Sequence, residues 1–90
     1  MIDGMLMSFP KLKKAIFAEN KRQLKKWGVQ DHNMFTWLAF AMEEVGETSA
    51  AMADYIFRDG PIKNISKEAI QVATLFLKIA EMIDMALEEK

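Results

Sequence analysis

From Ile65 to Leu87 the chain reads ISKEAIQVATLFLKIAEMIDMAL, and this stretch decides the fold. Ile70, Val72, Leu75, Phe76, Leu77, Ile79, Met82, Ile83 and Leu87 fall on every side of a helix with about 3.6 residues per turn. A helix that is apolar all round has to be covered all round, and two neighbouring helices of one small chain cannot do that. The expectation is an all-α protein with three main helices per chain, forming an oligomeric helical bundle. A homodimer or homotetramer would place this helix, and part of the one before it, in a shared core.

Working outward, turn signals set the other limits. Arg58-Asp59-Gly60-Pro61 closes the preceding segment and Trp27-Gly28 the one before that. In both, glycine stands where a helix ends in a left-handed residue, and Pro61 cannot continue the helix before it. No Asn-Gly hairpin, alternating strand pattern, repeat or low-complexity tract occurs. The reading is a single domain over residues 1–90, with a lead-in at 1–9 and helices over about 10–27, 34–58 and 66–88. Pro10 suits a first turn, and Asn33 is the expected N-cap of the second helix, with His32 beside it.

Composition narrows the chemistry. The chain has 90 residues, no cysteine and one histidine, His32. That removes disulfides, Cys-based zinc sites, thiol catalysis and any multi-His metal centre. A chain this short is marginal without staples, which leaves oligomerisation or a hard-metal site built from carboxylates. The apolar fraction of 51%, with eight methionines, is high for a monomer of this size. No run of about 18 apolar residues exists to span a bilayer, and the first residues lack a secretory signal's basic start. The expectation is a soluble, cytoplasmic protein with no membrane partner.

Charge is uneven. Residues 1–33 carry seven Lys/Arg against three acids, and residues 34–90 carry five against ten. In the first helix Leu12, Ile16, Leu24 and Trp27 form a modest stripe, and Lys11, Lys14, Lys21, Arg22, Lys25 and Lys26 cover the rest. Nothing interleaves aromatics with those lysines as single-strand binders do, so a solvated face is expected and nucleic acid is not the expected partner.

The second helix carries acids where apolar residues gather. Glu44 and Glu47 share a stripe with Trp37, Phe40, Ala51 and Tyr55, within about 60° of Glu44 at about 100° per residue. No broad side of this helix is plainly polar, so Glu43, Glu44 and Glu47 sit among residues expected to be partly covered. Acids crowded in that setting shift their pKa or find a cation. Oxygen ligands at i and i+3 suit Mg²⁺ or Mn²⁺. Gly46 costs about 1 kcal/mol of helix propensity, and its missing side chain would admit a close backbone or ligand. Glu68 and Gln71 offer a second i, i+3 pair on the third helix. A tight hairpin would leave the two pairs a turn or two out of register, and the sequence leaves open what absorbs the mismatch. It leaves equally open that these are solvated acids, with Glu68 a first-turn acid beside a Ser66 cap.

At Trp37-Leu38-Ala39-Phe40-Ala41-Met42-Glu43-Glu44-Val45-Gly46-Glu47 the chain resembles the MazG-like members of the all-α nucleoside triphosphate pyrophosphohydrolase superfamily. Their pattern is E-E-x-x-E on one helix and E-x-x-D on another. Here Glu44-x-x-Glu47 is followed, after twenty residues, by Glu68-Ala69-Ile70-Gln71. Lys26-Trp27-Gly28-Val29-Gln30-Asp31-His32 also looks like a segment of small members, and the resemblance covers residues 22–84. It implies a dimeric or tetrameric bundle that hydrolyses nucleotides between the α and β phosphates to a nucleoside monophosphate and pyrophosphate. It further implies Glu44, Glu47, Glu68 and Gln71 as Mg²⁺ ligands, and Glu43 is the candidate general base. Gln71 departs from the pattern: a neutral amide oxygen can ligate but adds no charge.

On the substrate side, Trp37, Phe40 and Tyr55 are candidates for stacking a base, against a core role. Lys67, Lys78 and Arg58 are candidates for phosphate, against surface ion pairs. Gln30 and His32 are candidate ligand contacts on the resemblance. A phosphoribosyl-ATP pyrophosphatase shares the architecture and acid pattern, and a catalytically silent dimerisation or nucleotide-binding module is the alternative of a different class.

Overall fold

The second helix starts where a side chain supplies the missing acceptor. Asn33 Oδ1 accepts the Thr36 backbone N–H at 2.9 Å, which satisfies one of the orphan donors of the first turn. In the computed structural model, which describes residues 9–29 and 31–89, three helices follow. They are α1 (Phe9–Trp27), α2 (Met34–Arg58) and α3 (Lys63–Glu88). Gln30 and positions 1–8 of the lead-in lie outside the described residues, and Phe9, expected in the lead-in, opens α1. Gly28 takes the left-handed conformation (φ 73°) and its N–H reaches the Leu24 carbonyl at 2.8 Å, so α1 ends as its sequence implies.

The α2–α3 connection departs from expectation in two ways. The left-handed residue is Asp59 (φ 60°), not Gly60. Gly60 is required for a different reason. Its N–H donates to the Asp54 carbonyl at 2.8 Å, and a Cβ there would lie 3.0 Å from the Asp54 Cβ and 3.3 Å from its carbonyl carbon and oxygen. The chain therefore folds back along the last turn of α2. The second departure is the start of α3, at Lys63 rather than 66. Ser66 is not its cap. The helix opens through Ile62 without a side-chain cap. The Pro61 and Ile62 carbonyls accept the Asn64 and Ile65 N–H groups at 3.2 and 3.1 Å, a tight 3₁₀-like first turn. Pro61, read as a stop, thus also supplies a first acceptor for α3.

α3 is the middle element. α2 packs along it, and α1 packs on α3 without packing on α2. The core is thin: Trp37, Ala41 and Leu75, with Ile79 and Met82 against them. Ala41 is completely buried, so the α2 and α3 backbones approach closely there, while no large side chain among the described residues is fully buried. Phe76, Leu77, Met85 and Leu87 remain exposed on α3 although both other helices pack on it, and so do Phe35, Ile56 and Phe57 on α2. No helix among the described residues is long and apolar enough to cross a membrane. Gly46 has nothing within 4 Å of a Cβ added to it, so no close approach within the chain explains that glycine.

The connection can be tested directly. Gly60→Ala is expected to destabilise the fold by about 1–3 kcal/mol, because the obstructing atoms are backbone and the root of a side chain. Asp59→Gly is expected to stabilise it by roughly 0.5–1 kcal/mol by removing a left-handed β-carbon. Urea denaturation of both variants measures the two signs, and a neutral Gly60→Ala would refute the fold-back.

Candidate metal centre

On α2, Glu44 and Glu47 are one turn apart and project to the same side. On α3, Glu68 and Gln71 do the same. The fold-back at Asp59–Gly60 removes the mismatch a plain hairpin would leave, since α3 begins alongside α2 rather than beyond its end. The pairing is then antiparallel and continuous. Descending α2 from Glu47 to Glu44 to Trp37 matches ascending α3 from Glu68 to Gln71 to Lys78. One carboxylate oxygen from each of Glu44, Glu47 and Glu68 lies within 4.8 Å of the others. Glu44 and Glu68 are half-buried, and Glu47 is exposed.

Crowding shows in the electrostatics. Burial, then hydrogen bonding and charge from Glu47 and Glu68, pushes the Glu44 carboxyl up to about 7. Glu68 is raised as well, first by burial and then by Glu47, with Lys67 pulling the other way. Gln71, only 8% exposed, closes the cluster from below. Turned one way, its Nε2 donates to Glu68 Oε2 at 3.1 Å and Glu44 Oε2 at 2.5 Å. Turned the other way, it sets a fourth oxygen against them. Three carboxylates and an amide oxygen are a hard donor set that suits Mg²⁺ or Mn²⁺, with positions left for water and a substrate oxygen. The residues present fit such an ion.

Beside the cluster, and sharing Glu44 with it, is a cavity of about 370 Å³, near the small end of the range for ligand sites. Leu24, Trp27, Trp37, Phe40 and Leu75 give it apolar walls, and Arg22, Gln23, Lys78 and Glu43 bring polar groups. Among the substrate candidates, Trp37 and Lys78 therefore lie together, with the Lys78 ammonium 5.5 Å from the Trp37 ring centre. His32 packs edge-on against Trp37 and Phe40, at 5.1 and 5.3 Å between ring centres, which makes it a prop for the aromatic wall. Lys67 is exposed and acts on Glu68 electrostatically, without lining the cavity. Arg58 pairs with Asp54 at 2.6 Å on the surface, and Tyr55 is not in the wall. Glu43 stands in the cavity lining and outside the three-acid group. Gln30, a candidate ligand contact, lies outside the described residues.

The α1 wall was not legible in advance. Gln23 is the one buried residue of α1 among those described, although Lys21, Arg22, Lys25 and Lys26 flank it in the sequence. A signal was present: Gln23 falls seven residues after Ile16 and four before Trp27, a polar residue on the apolar stripe. No protein-family model, curated protein or solved structure matches the chain.

The raised Glu44 pKa carries a sign. Without a cation the folded state holds the Glu44 proton more tightly than the unfolded state, whose value is near 4.5. The stability this contributes is complete below about 4.5 and is lost as pH rises through about 7. Thermal melts in EDTA should therefore show a Tm that falls across this window, less steeply in Glu44→Gln. Millimolar Mg²⁺ should restore several degrees at pH 8 in the wild type and little in Glu44→Gln. A wild-type Tm indifferent to Mg²⁺ at pH 8 would remove the metal centre.

Proposed function

We propose that the chain is a Mg²⁺-dependent nucleoside triphosphate pyrophosphohydrolase of the MazG-like kind, cleaving between the α and β phosphates to a nucleoside monophosphate and pyrophosphate. The observation that carries this reading is the convergence of Glu44, Glu47 and Glu68 across α2 and α3, beside an aromatic cavity that shares Glu44. A structural helix pair has no use for three mutually repelling carboxylates at its contact face. A ligand that brings both a cation and an aromatic ring does.

Glu44, Glu47 and Glu68, with the Gln71 amide oxygen, would hold Mg²⁺. The ion supplies neutralisation of phosphate charge and orientation of the reacting groups. The remaining work belongs to side chains. Trp37, with the Phe40 ring standing edge-on to it at 6.1 Å between ring centres, would give a base an aromatic wall to pack against. Lys78 offers a half-buried ammonium for a phosphoryl oxygen. Glu43, in the cavity lining, would take the proton of the water that attacks the α phosphorus as the bond to pyrophosphate breaks. Lys67, beside Glu68, adds positive charge at the outer side of the cluster.

The same reading includes a second copy of the chain. The apolar side chains left exposed on α2 and α3 are too many for a three-helix monomer with so thin a core. A second copy would cover them with the same faces, as closed symmetry requires.

A second reading is favoured by Gln71. With its Nε2 donating to Glu44 and Glu68, the amide quiets the acids without any cation, as a catalytically silent nucleotide-binding or dimerisation module would need.

Pyrophosphate release from ribo- and deoxynucleoside triphosphates, with Mg²⁺ or Mn²⁺, separates the two. Metal-dependent turnover is expected, reduced by roughly 100-fold or more in Glu44→Gln and in Glu47→Gln. Gln71→Asp is expected to tighten metal binding. No turnover in either the wild type or Gln71→Asp, with both folded, would leave the silent module. Light scattering should give a mass that is a multiple of 10.3 kDa at micromolar concentration. A monomer would overturn the shared core.

A further inference from the structure

Lys78 is an unusual cation in this molecule. It is half-buried, it lines the cavity, and it makes no ion pair among the described residues. One of its three N–H groups donates to Gln23 Oε1 at 2.6 Å, across the α1–α3 contact. Its ammonium also faces the Trp37 ring, and its two other donors have no hydrogen-bond acceptor among the described residues. The acid whose charge it feels is Glu19, and Glu19 is occupied elsewhere. Arg22 forks onto both its oxygens at 2.8 Å, and Gln23 Nε2 donates to Oε2 at 2.7 Å.

Gln23 thus stands between acid and ammonium, its NH₂ end toward Glu19 and its carbonyl end toward Lys78. A neutral amide passes on orientation without passing on charge. If the contact served only to hold α1 on α3, a carboxylate at position 23 would do it better, by pairing with Lys78 directly. Burial lowers the Lys78 pKa, so leaving this charge uncompensated costs stability that a direct pair would recover.

We propose that Gln23 and Glu19 are positioning residues that keep Lys78 free of any carboxylate and turned into the cavity, where its ammonium receives a phosphoryl oxygen of the bound nucleotide. The assignment rests on reading the cavity as the nucleotide site. Lys78 lies two turns along α3 from Gln71, on the same face, about 10 Å from the acid cluster. An anion anchored at the acids through a cation would extend towards it.

The test uses the full chain with inorganic pyrophosphate and saturating Mg²⁺. Binding is followed by calorimetry and by the Lys78 side-chain Nζ resonance, assigned with Lys78→Arg. In the wild type the Lys78 resonance should shift on pyrophosphate addition. Gln23→Glu, which places a charge against Lys78, should weaken pyrophosphate binding roughly ten-fold or more. It should raise KM more than it lowers kcat and leave the Mg²⁺-dependent rise in Tm in place. Gln23→Met keeps the volume without the charge and guards against a folding defect; it should weaken binding as well, because Lys78 then loses the Gln23 oxygen that orients it. Pyrophosphate binding with an unmoved Lys78 resonance, or with wild-type affinity in Gln23→Glu, overturns the role of Gln23 while the nucleotide reading stands. No pyrophosphate binding by the wild type overturns both.

Discussion

The hydrogen bond from Gly60 N–H to the Asp54 carbonyl, made as the chain turns through a left-handed Asp59, fixes how far α3 slides along α2. The cross-helix geometry follows from that slide. Two helices joined by a straight reversal would bring Glu47 opposite a residue well past Glu68, because Glu47 lies eleven residues, about 16 Å, from the end of α2. By returning along α2 before α3 starts, the connection recovers the difference and sets Glu44 over Gln71 and Trp37 over Lys78. The site is a consequence of register. Helix propensity and core packing alone would tolerate several slides, since the core consists of little more than Trp37, Ala41 and Leu75.

Helix identity, and every helix end but the start of α3 to within a residue, were legible from local chemistry. Asn33 acts through its side chain on the first turn of its own helix, and Gly28 and the Asp59-Gly60-Pro61 run act through their backbone, so their reading needs no knowledge of the remainder of the fold. The two acid pairs were legible for the same reason, as i, i+3 spacing is a property of one helix. Their meeting was not, because it depends on a fold-back in which the left-handed residue is the aspartate and the glycine relieves a clash with Asp54. The start of α3 was misplaced through Ser66, an eligible cap overridden by the Pro61 and Ile62 carbonyls five and four residues earlier. Gln23 and Glu19 were invisible to a reading by residue type. Set among seven basic residues they look like a solvated face, and only the contact of α1 with α3 gives them work.

The charges of the site are sorted in space rather than neutralised. Acids converge where α2 meets α3, with Gln71 as the neutral member. The cation lies two turns away, insulated from its nearest acid by a second neutral amide. Glutamines at 71 and 23 thus play related parts, each buried to 8% exposure and each mediating between charged groups without adding one. In a chain with a formal net charge of −1, that leaves local fields strong while the global one stays weak.

α1 touches α3 and leaves α2 alone, yet it forms one side of a cavity whose other side is α2. One wall is therefore the continuous hairpin, and the facing wall is held by its packing on α3 alone, with a lysine–glutamine hydrogen bond across that contact. Elements held by few contacts open at lower free energy than the unit they lean on. The cavity then has a rigid floor and a compliant side. Its width is set by the element least committed to the core, so fit to rings of different size would be adjusted by α1 while the spacing of the acids stayed constant.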